Sequence, residues 1–167
     1  MRRLVLAVLS LAFLAACQPA ATELTEEQKA EIAADIRQVV AEFWNSVEVM
    51  DTDRWLDHWS AELEPFFQTE PAIAVNLVTI VQTVDDWRTG WETTFAQRSG
   101  HDIALENEHV AVLAEDVVLH VSRGTFTVSD TLGNTTDPAP WTVSTVWVRR
   151  DAGWKILHFH QSWIPTS

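Results

Sequence analysis

The stretch VWVRRDAGWKILHFHQSW, from Val146 to Trp163, indicates how the C-terminal part of the chain folds. Apolar and polar residues alternate on both sides of Asp151-Ala152-Gly153. Alternation around a short turn with glycine is typical of an antiparallel β-hairpin. Because both arms are rich in aromatic and β-branched residues, we expect two long strands in a sheet that buries one face.

The same pattern continues on the N-terminal side of this hairpin. Ile103–Leu113 and Val117–Asp130 are strand candidates, and Asp130–Pro140 is a hairpin loop rich in Thr, Asp and Pro. Trp141–Arg150 and Trp154–Ile164 complete the set. Four long strands in succession predict an antiparallel meander.

Before residue 100 the apolar residues follow a helical period. Thr25 and Gln28 form a predicted capping box, Asp51 can cap a second helix, and Thr83 a third. Asn76–Gln82 (NLVTIVQ), just before the third helix, is strand-like. The apolar positions of the three helices are Ile32, Ile36, Val39, Val40, Phe43 and Val47, then Trp55, Leu56 and Trp59, then Trp87, Trp91 and Phe95.

Helices followed by a meander of strands predict the α+β class, with a curved sheet wrapped around three N-terminal helices. This arrangement would bury the aromatic residues of both parts. Residues 25–167 are therefore predicted to form one domain, and residues 17–24 a short tether in front of it.

The order helix–helix–strand–helix and four strands resembles the cone-shaped, cystatin-like fold of the nuclear transport factor 2-like, or SnoaL-like, superfamily, whose curved sheet is antiparallel or mixed. Val146–Asp151 with Gly153–Ser162 is especially similar to the tail of the association (hub) domain of calcium/calmodulin-dependent kinase II. The resemblance in element order covers residues 25–164. This fold hosts isomerases, dehydratases, epoxide hydrolases, cyclases and plain binding or assembly modules, so function depends on the site.

In the hub family an arginine that lines the pocket directly follows the second histidine of the tail motif, and here that position is Gln161. Other hub pocket positions correspond to Thr145, roughly to Trp87, and to Arg123 or Gly124. The resemblance thus implies a pocket at these positions, but one that lacks most of the charge with which the hub domain binds a carboxylate.

The N-terminus reads MRRLVLAVLSLAFLAAC and resembles a bacterial lipoprotein signal. Two arginines precede a short apolar run, and such a run is too short to span a membrane. Residues 1–16 are the predicted signal peptide, and Cys17 the predicted lipidation site, with palmitate among the expected acyl chains. Gln18 follows Cys17 in place of the Asp that retains some lipoproteins in the inner membrane, so we expect an outer-membrane anchor facing the periplasm. An ordinary secretory peptide is the alternative.

The net charge of −13 limits the partners of the chain. An acidic surface repels phosphate backbones and anionic lipids, so nucleic-acid binding is not expected, and the membrane link is the lipid on Cys17. Cys17 is the only cysteine, so the chain contains no internal disulfide. No Gly-rich phosphate loop or nucleophile elbow is present, and no cofactor is predicted.

His158 and His160 lie two residues apart on a predicted strand, with Cα atoms about 6.6 Å apart. That spacing suits two ligands of one ion, but no further ligand is evident and we predict no metal site. If Gln161 faces the pocket, Leu157, Phe159 and Trp163 share its side and the two histidines face away. His158, His160 and Trp154 are then interface or structural residues, and we expect a homodimer.

His120 is the candidate catalytic residue, because it interrupts an apolar strand where the strand should line the cone. Asp57 or His58 could face it, although both could equally lie on a solvated helix face. The chain has no Tyr to act as an oxyanion donor, which argues against a steroid-isomerase-like site.

Acidic residues give weaker signals. Arg123 with Asp86 or Asp102 could form an Asp-Arg-Asp site of the epoxide-hydrolase kind, but no spacing requires it. Glu62 with Glu64, and Glu106 with Glu108 on one strand face, are predicted to be solvated surface pairs.

Three functions remain open. The first is binding of a small, largely apolar molecule in a pocket lined by tryptophans, with polar contacts from a few sheet residues. The second is a lyase, isomerase or hydrolase with His120 as general base, and the third a dimeric assembly module without an active pocket. The predicted pocket residues are Trp55, Trp59, Trp87, Trp91, His120, Ser122, Thr145, Phe159 and Gln161.

Overall fold

The computed structural model describes residues 23–59, 69–71 and 84–163. Three helices and five strands lie in these ranges: α1 (Glu26–Glu48), α2 (Thr52–Asp57), β1 (Thr69–Pro71), α3 (Val84–Phe95), β2 (Arg98–Ala114), β3 (Val117–Asp130), β4 (Ala139–Arg150) and β5 (Gly153–Trp163). The predicted leader, Cys17, the Asn76–Gln82 strand, the Thr83 cap and the Glu62–Glu64 pair lie outside the described residues.

The sheet confirms the predicted α+β class. Its strand order is β1-β5-β4-β3-β2, with β1 parallel to β5 and the other neighbours antiparallel, so the sheet is mixed. The meander follows from short turns. At the β4–β5 turn Gly153 has φ +97°, a conformation that residues with a Cβ rarely adopt.

The long helix α1 packs along the inner face of the sheet. It begins at the predicted capping box, in which Thr25 Oγ1 accepts from Gln28 N–H and Thr25 N–H donates to Gln28 Oε1. Its buried apolar residues recur every three or four positions: Ile32, Ile36, Val40, Phe43 and Val47. Burial of each such side chain stabilises the fold by about 1.5–3 kcal/mol, so this stripe fixes which face of α1 meets the sheet.

The helix α2 is attached to the sheet at its end. Asp51 caps it as predicted, through a bond from Arg54 N–H to Oδ1. After the helix, the carbonyl of His58 accepts from Ile156 N–H at 2.7 Å, and Trp59 forms a bridge with Ile156. This attachment holds Trp55 and Trp59 over the inner face.

Four β-bulges change the faces that simple alternation predicts. The β2–β3 register shifts at Ser99, Glu106 and Leu113, and the β4–β5 register shifts at Leu157. Ile156, fully buried opposite Trp147, therefore takes the inner position, and the prediction that Leu157 shares the face of Gln161 is wrong. The prediction that Glu106 and Glu108 share one face is also wrong, because the bulge at Glu106 places them on opposite faces.

The strand β2 is longer than expected at its start. The sequence predicted Ile103–Leu113, because Ser99-Gly100 reads as a turn, whereas the strand begins at Arg98. The bulge at Ser99 absorbs the extra residue, and Ser99 Oγ donates to the carbonyl of Asp130 at 2.7 Å. Pairing therefore continues through the predicted turn.

Gly124 of β3 lies against the backbone of β2. A Cβ on this residue would overlap the carbonyl oxygen of Ala104, which is backbone and cannot rotate away. We expect Gly124→Ala to lower the free energy of unfolding by about 1–3 kcal/mol or more, measured by urea denaturation. Gly100→Ala is the matched control in β2, because a Cβ there meets nothing within 4 Å. Equal stability of the two variants would contradict the close approach.

Candidate functional site

The inner face of the sheet carries two adjacent rows of residues beneath α1. The first row, read across β2 to β5, is Val110, His120, Thr145 and Phe159. The second is Glu108, Ser122, Val143 and Gln161. Paired residues of antiparallel strands point to the same side, so the register brings these side chains together.

His120 lies at the centre of the first row with 1 % of its surface exposed. Its Nε2 is 3.0 Å from Glu108 Oε1. The other carboxylate oxygen of Glu108 accepts from Arg37 Nε of α1 at 2.9 Å. A carboxylate can only accept, so the proton at the shared contact belongs to His120 Nε2.

Thr145 holds the opposite side of the imidazole. Its Oγ1 lies 3.3 Å from His120 Nδ1 and accepts from the buried indole Nε1 of Trp147 at 2.8 Å. In the neutral ring Nδ1 is an acceptor, so the Thr145 hydroxyl can donate to it. Both ring nitrogens of His120 are thus engaged, and we refer to Arg37, Glu108, His120, Thr145 and Trp147 as the polar chain.

Burial lowers the pKa of His120 below its ordinary value of 6.5, and this outweighs the opposite effects of the hydrogen bond and charge of Glu108. The nearby charge of Arg37 lowers it further. At neutral pH the ring is therefore uncharged. A neutral imidazole oriented by a carboxylate is the arrangement that general-base catalysis uses.

The second row and its neighbour contain two buried polar atoms without a hydrogen-bond partner among the described residues. These are Ser122 Oγ and Trp141 Nε1. Trp141 pairs with Gly124, one step along the inner face from the pairing of Ser122 with Val143. A buried polar group left unpaired costs about 1–3 kcal/mol, so both atoms remain available for a hydrogen bond.

Aromatic rings pack together over another part of the inner face. Trp59 lies 5.5 Å from Phe159 and 4.9 Å from Trp55, measured between ring centroids, and Trp55 lies 5.0 Å from Trp91. We refer to Trp55, Trp59, Trp91 and Phe159 as the aromatic cluster. Trp55, Trp59 and Phe159 are buried and Trp91 is half-buried. The side chain of Trp87, also predicted in the pocket, lies outside the described residues.

The two tail histidines lie on the outer face. His158 is exposed and His160 half-buried, and they pair with Val146 and Ser144 of β4. Trp154 is buried in the core, and the guanidinium carbon of Arg149 lies 4.6 Å from its ring centroid. No group of three or more potential metal ligands occurs within residues 23–59, 69–71 and 84–163.

Other residues that the sequence analysis considered for the site lie away from His120. His58 Nδ1 lies 2.7 Å from the carbonyl of Arg54, and Asp57 is exposed, so neither is a hydrogen-bond partner of His120. Arg123 is exposed, with its Nε 3.7 Å from Glu106, and Asp102 is exposed as well. The side chain of Asp86 lies outside the described residues.

Glu108 is the residue that the sequence analysis missed. It was assigned to solvated surface, and the residue as a whole is exposed, but its carboxylate contacts His120 and Arg37 and 23 % of its side chain is accessible. The sequence pattern gives little indication that Glu108 faces inward, because the bulge at Glu106 interrupts the alternation two residues before it. Arg37, from α1, could not have been connected to Glu108 without the tertiary structure.

Comparison with known proteins places the chain in a recognised group. Residues 32–165 match the family described as the calcium/calmodulin dependent protein kinase II association domain. Curated protein sequences contain no match. Within the described part of the chain, no helix is long and apolar enough to cross a membrane.

Solved structures share the fold at low identity. A nuclear transport factor 2-like superfamily protein from Salmonella enterica is 19 % identical, with a TM-score of 0.64 over 86 % of this chain and 96 % of that one. A ketosteroid isomerase-like protein from Erwinia carotovora is 16 % identical, with a TM-score of 0.66 over 86 % and 100 %. A candidate scytalone dehydratase from Novosphingobium aromaticivorans is 10 % identical, with a TM-score of 0.70 over 86 % and 91 %. These likenesses establish a nuclear transport factor 2-like fold.

The polar chain makes a prediction about the ionisation of His120. We expect its pKa to lie below 6.5 and to fall further in Glu108→Gln, because the substitution removes the negative charge that favours the imidazolium. The measurement is an NMR titration of the histidine rings. Glu106→Gln, which removes a charge two residues from Glu108, should leave the pKa of His120 unchanged. A rise of the His120 pKa in Glu108→Gln would show that the carboxylate does not act on the ring as the geometry indicates.

Proposed function

We propose that this chain, which belongs to the calcium/calmodulin dependent protein kinase II association domain family, binds a small, largely apolar molecule on its inner sheet face. The observation that carries this proposal is the pair of buried, unpartnered atoms Ser122 Oγ and Trp141 Nε1. A hydroxyl and an indole N–H beside aromatic rings can hold one or two polar atoms of an otherwise apolar ligand.

The polar residues of the inner face divide into two groups. Thr145 and His120 already satisfy one another within the polar chain, so their role is to hold the surface rigid. Ser122 and the half-buried Gln161 are in the next row and are the direct contacts in this proposal. The aromatic cluster supplies the apolar wall, and the predicted Trp87 belongs to the same helix as Trp91.

An enzyme of the same fold is the second candidate, and the contact between Glu108 and His120 favours it. Thr145 Oγ1 lies 3.4 Å from the carbonyl of His120 as well as 3.3 Å from Nδ1. Rotation of its hydroxyl towards that carbonyl would release the Nδ1 lone pair. His120 would then act as a general base while Glu108 stabilises the imidazolium that forms. The ketosteroid isomerase-like and dehydratase-like neighbours are compatible with such chemistry.

An assembly role is the third candidate, and it concerns the outer face. Association in a homodimer through the face that carries His158 and His160 would cover half-buried apolar residues of the central strands, such as Val121 and Val146. The family name refers to association, which supports an oligomer but does not specify its form. A dimer is compatible with the binding function, because the ligand site is on the opposite face.

The first two candidates can be tested in one experiment on protein that begins at residue 18. Native mass spectrometry after gentle purification should give a dimer that carries an adduct of a few hundred daltons. Ser122→Ala should weaken the adduct about tenfold, because one hydrogen bond is lost, and Ser162→Ala, on the outer face of β5, should not. If the protein is an enzyme, incubation with the isolated ligand would change the mass or structure of the ligand, and His120→Gln would prevent this change. Protein without an adduct after exposure to cell extract would contradict the binding function.

We also propose that the domain is anchored to the cell envelope through a lipid on Cys17, facing the periplasm. The support is the leader sequence with its charged start, apolar run and small residues before the cysteine. In cells that express the full chain, we expect the protein in the outer-membrane fraction and Cys17→Ser in the soluble periplasmic fraction. Radioactive palmitate should label the unchanged full chain but not Cys17→Ser. Equal labelling of both proteins would rule out Cys17 as the site.

A further inference from the structure

Arg98 and His101 lie at the start of β2, away from the polar chain. Simple alternation would put them on opposite faces, but the bulge at Ser99 turns Arg98 to the side of His101. Arg98 Nη1 lies 3.3 Å from His101 Nε2, and both side chains are half-buried. Bulges often re-aim a side chain beside a binding site, and the Ser99 hydroxyl fixes this one by its bond to the carbonyl of Asp130.

The protons in this contact can be assigned. Arginine remains charged and has no acceptor, so the shared proton belongs to Arg98 and His101 Nε2 accepts it. Burial and then the charge of Arg98 lower the pKa of His101 to about 4, so the ring is neutral at pH 7 and carries its proton on Nδ1. The pair therefore offers one positive charge, the remaining guanidinium N–H groups and one imidazole N–H, all of them donors.

Arg98 has no carboxylate within salt-bridge distance among the described residues, although the chain carries 24 acidic residues. Four other arginines do have one: Arg37 contacts Glu108, Arg88 contacts Asp53, Arg123 contacts Glu106, and Arg149 contacts Asp35.

The carboxylates nearest to Arg98 along the strands serve other groups. Asp130, its cross-strand partner, accepts from Leu132 and Asn134 in the hairpin turn. Glu48 accepts from the backbone N–H of Ile103. Asp102 is exposed and follows His101, so it points to the other face of the strand. Among residues 23–59 and 84–163, this half-buried cation thus has no anionic partner, which is costly unless another anion completes it.

The surroundings of the pair are aromatic. The Phe95 ring meets His101 edge to face at 5.6 Å, and Trp91 lies 5.0 Å beyond Phe95. Arg98 also follows the C-terminal end of α3, where a cation is favourable, but it makes no hydrogen bond to a carbonyl of that helix among the described contacts. The helix end therefore does not account for the position of the guanidinium.

We propose that Arg98 and His101 form a binding site for the anionic group, a carboxylate or a phosphoryl group, of an aromatic or otherwise apolar organic ligand. The guanidinium fork binds two oxygens of the anion and His101 Nδ1–H donates to it, while the apolar body of the ligand lies against the Phe95 edge of the site. This site does not depend on the ligand proposed for Ser122 and Trp141, and it stands or fails by itself.

The test is an NMR titration of the histidine rings in protein that begins at residue 18, with His101 assigned through His101→Gln. Benzoate should shift the His101 resonances in a saturable way, whereas benzamide, which has the same size without the charge, should not at equal concentration. Inorganic phosphate and phenyl phosphate, titrated separately, distinguish a phosphoryl site from a carboxylate site. An equal response to benzoate and benzamide would overturn the proposal with no variant needed.

Variants then identify the cation. Arg98→Gln should weaken binding of the anion that shifts His101 about tenfold or more. Arg98→Lys keeps the charge but loses the planar fork, so its affinity should lie between those of Arg98→Gln and the unchanged protein. Arg123→Gln is the matched control, since it removes an exposed arginine of β3 and should leave the affinity unchanged. Binding that persists undiminished in both Arg98 variants would also overturn the proposal.

Discussion

The register between β3 and β4 is the constraint on which the rest of the structure depends. It runs without a shift from the pair Val117 and Val148 to the pair Phe126 and Ala139. Since side chains alternate with a period of two, a slip of one residue would turn every inner side chain of one strand outward. This register places His120 beside Thr145 and Ser122 beside Val143, so the polar chain and the candidate ligand contacts follow from it.

The outer strand pairs contain bulges, and each bulge gives a side chain a new position. The shift at Glu106 separates it from Glu108 and leaves Glu108 on the inner face with His120. The shift at Ser99 brings Arg98 to His101, and the shift at Leu157 lets Ile156 enter the core. The regular central strands thus provide stability, and the irregular outer pairs provide the placement of charged groups.

Polar groups inside this core are in two different states. Within the polar chain every proton of the ring and the indole has an acceptor, so His120 can be buried at little cost and can orient its neighbours. Ser122 Oγ and Trp141 Nε1 are buried without partners on the same face. This contrast supports the proposal that a ligand binds next to the polar chain, on the side of Ser122.

The sequence by itself determined the class of the fold and most of its long elements. The Thr25 capping box, the Asp51 cap, the strand Val117–Asp130 and the outward position of His158 were all predictable, because caps, turns and alternation are local properties of the chain. Only the tertiary structure decided that Glu108 meets His120 and Arg37, and that Arg98 meets His101. These contacts depend on bulges and on packing between residues as far apart as Arg37 and Glu108. A bulge is stabilised by its surroundings in the folded sheet, so no short stretch of sequence specifies it.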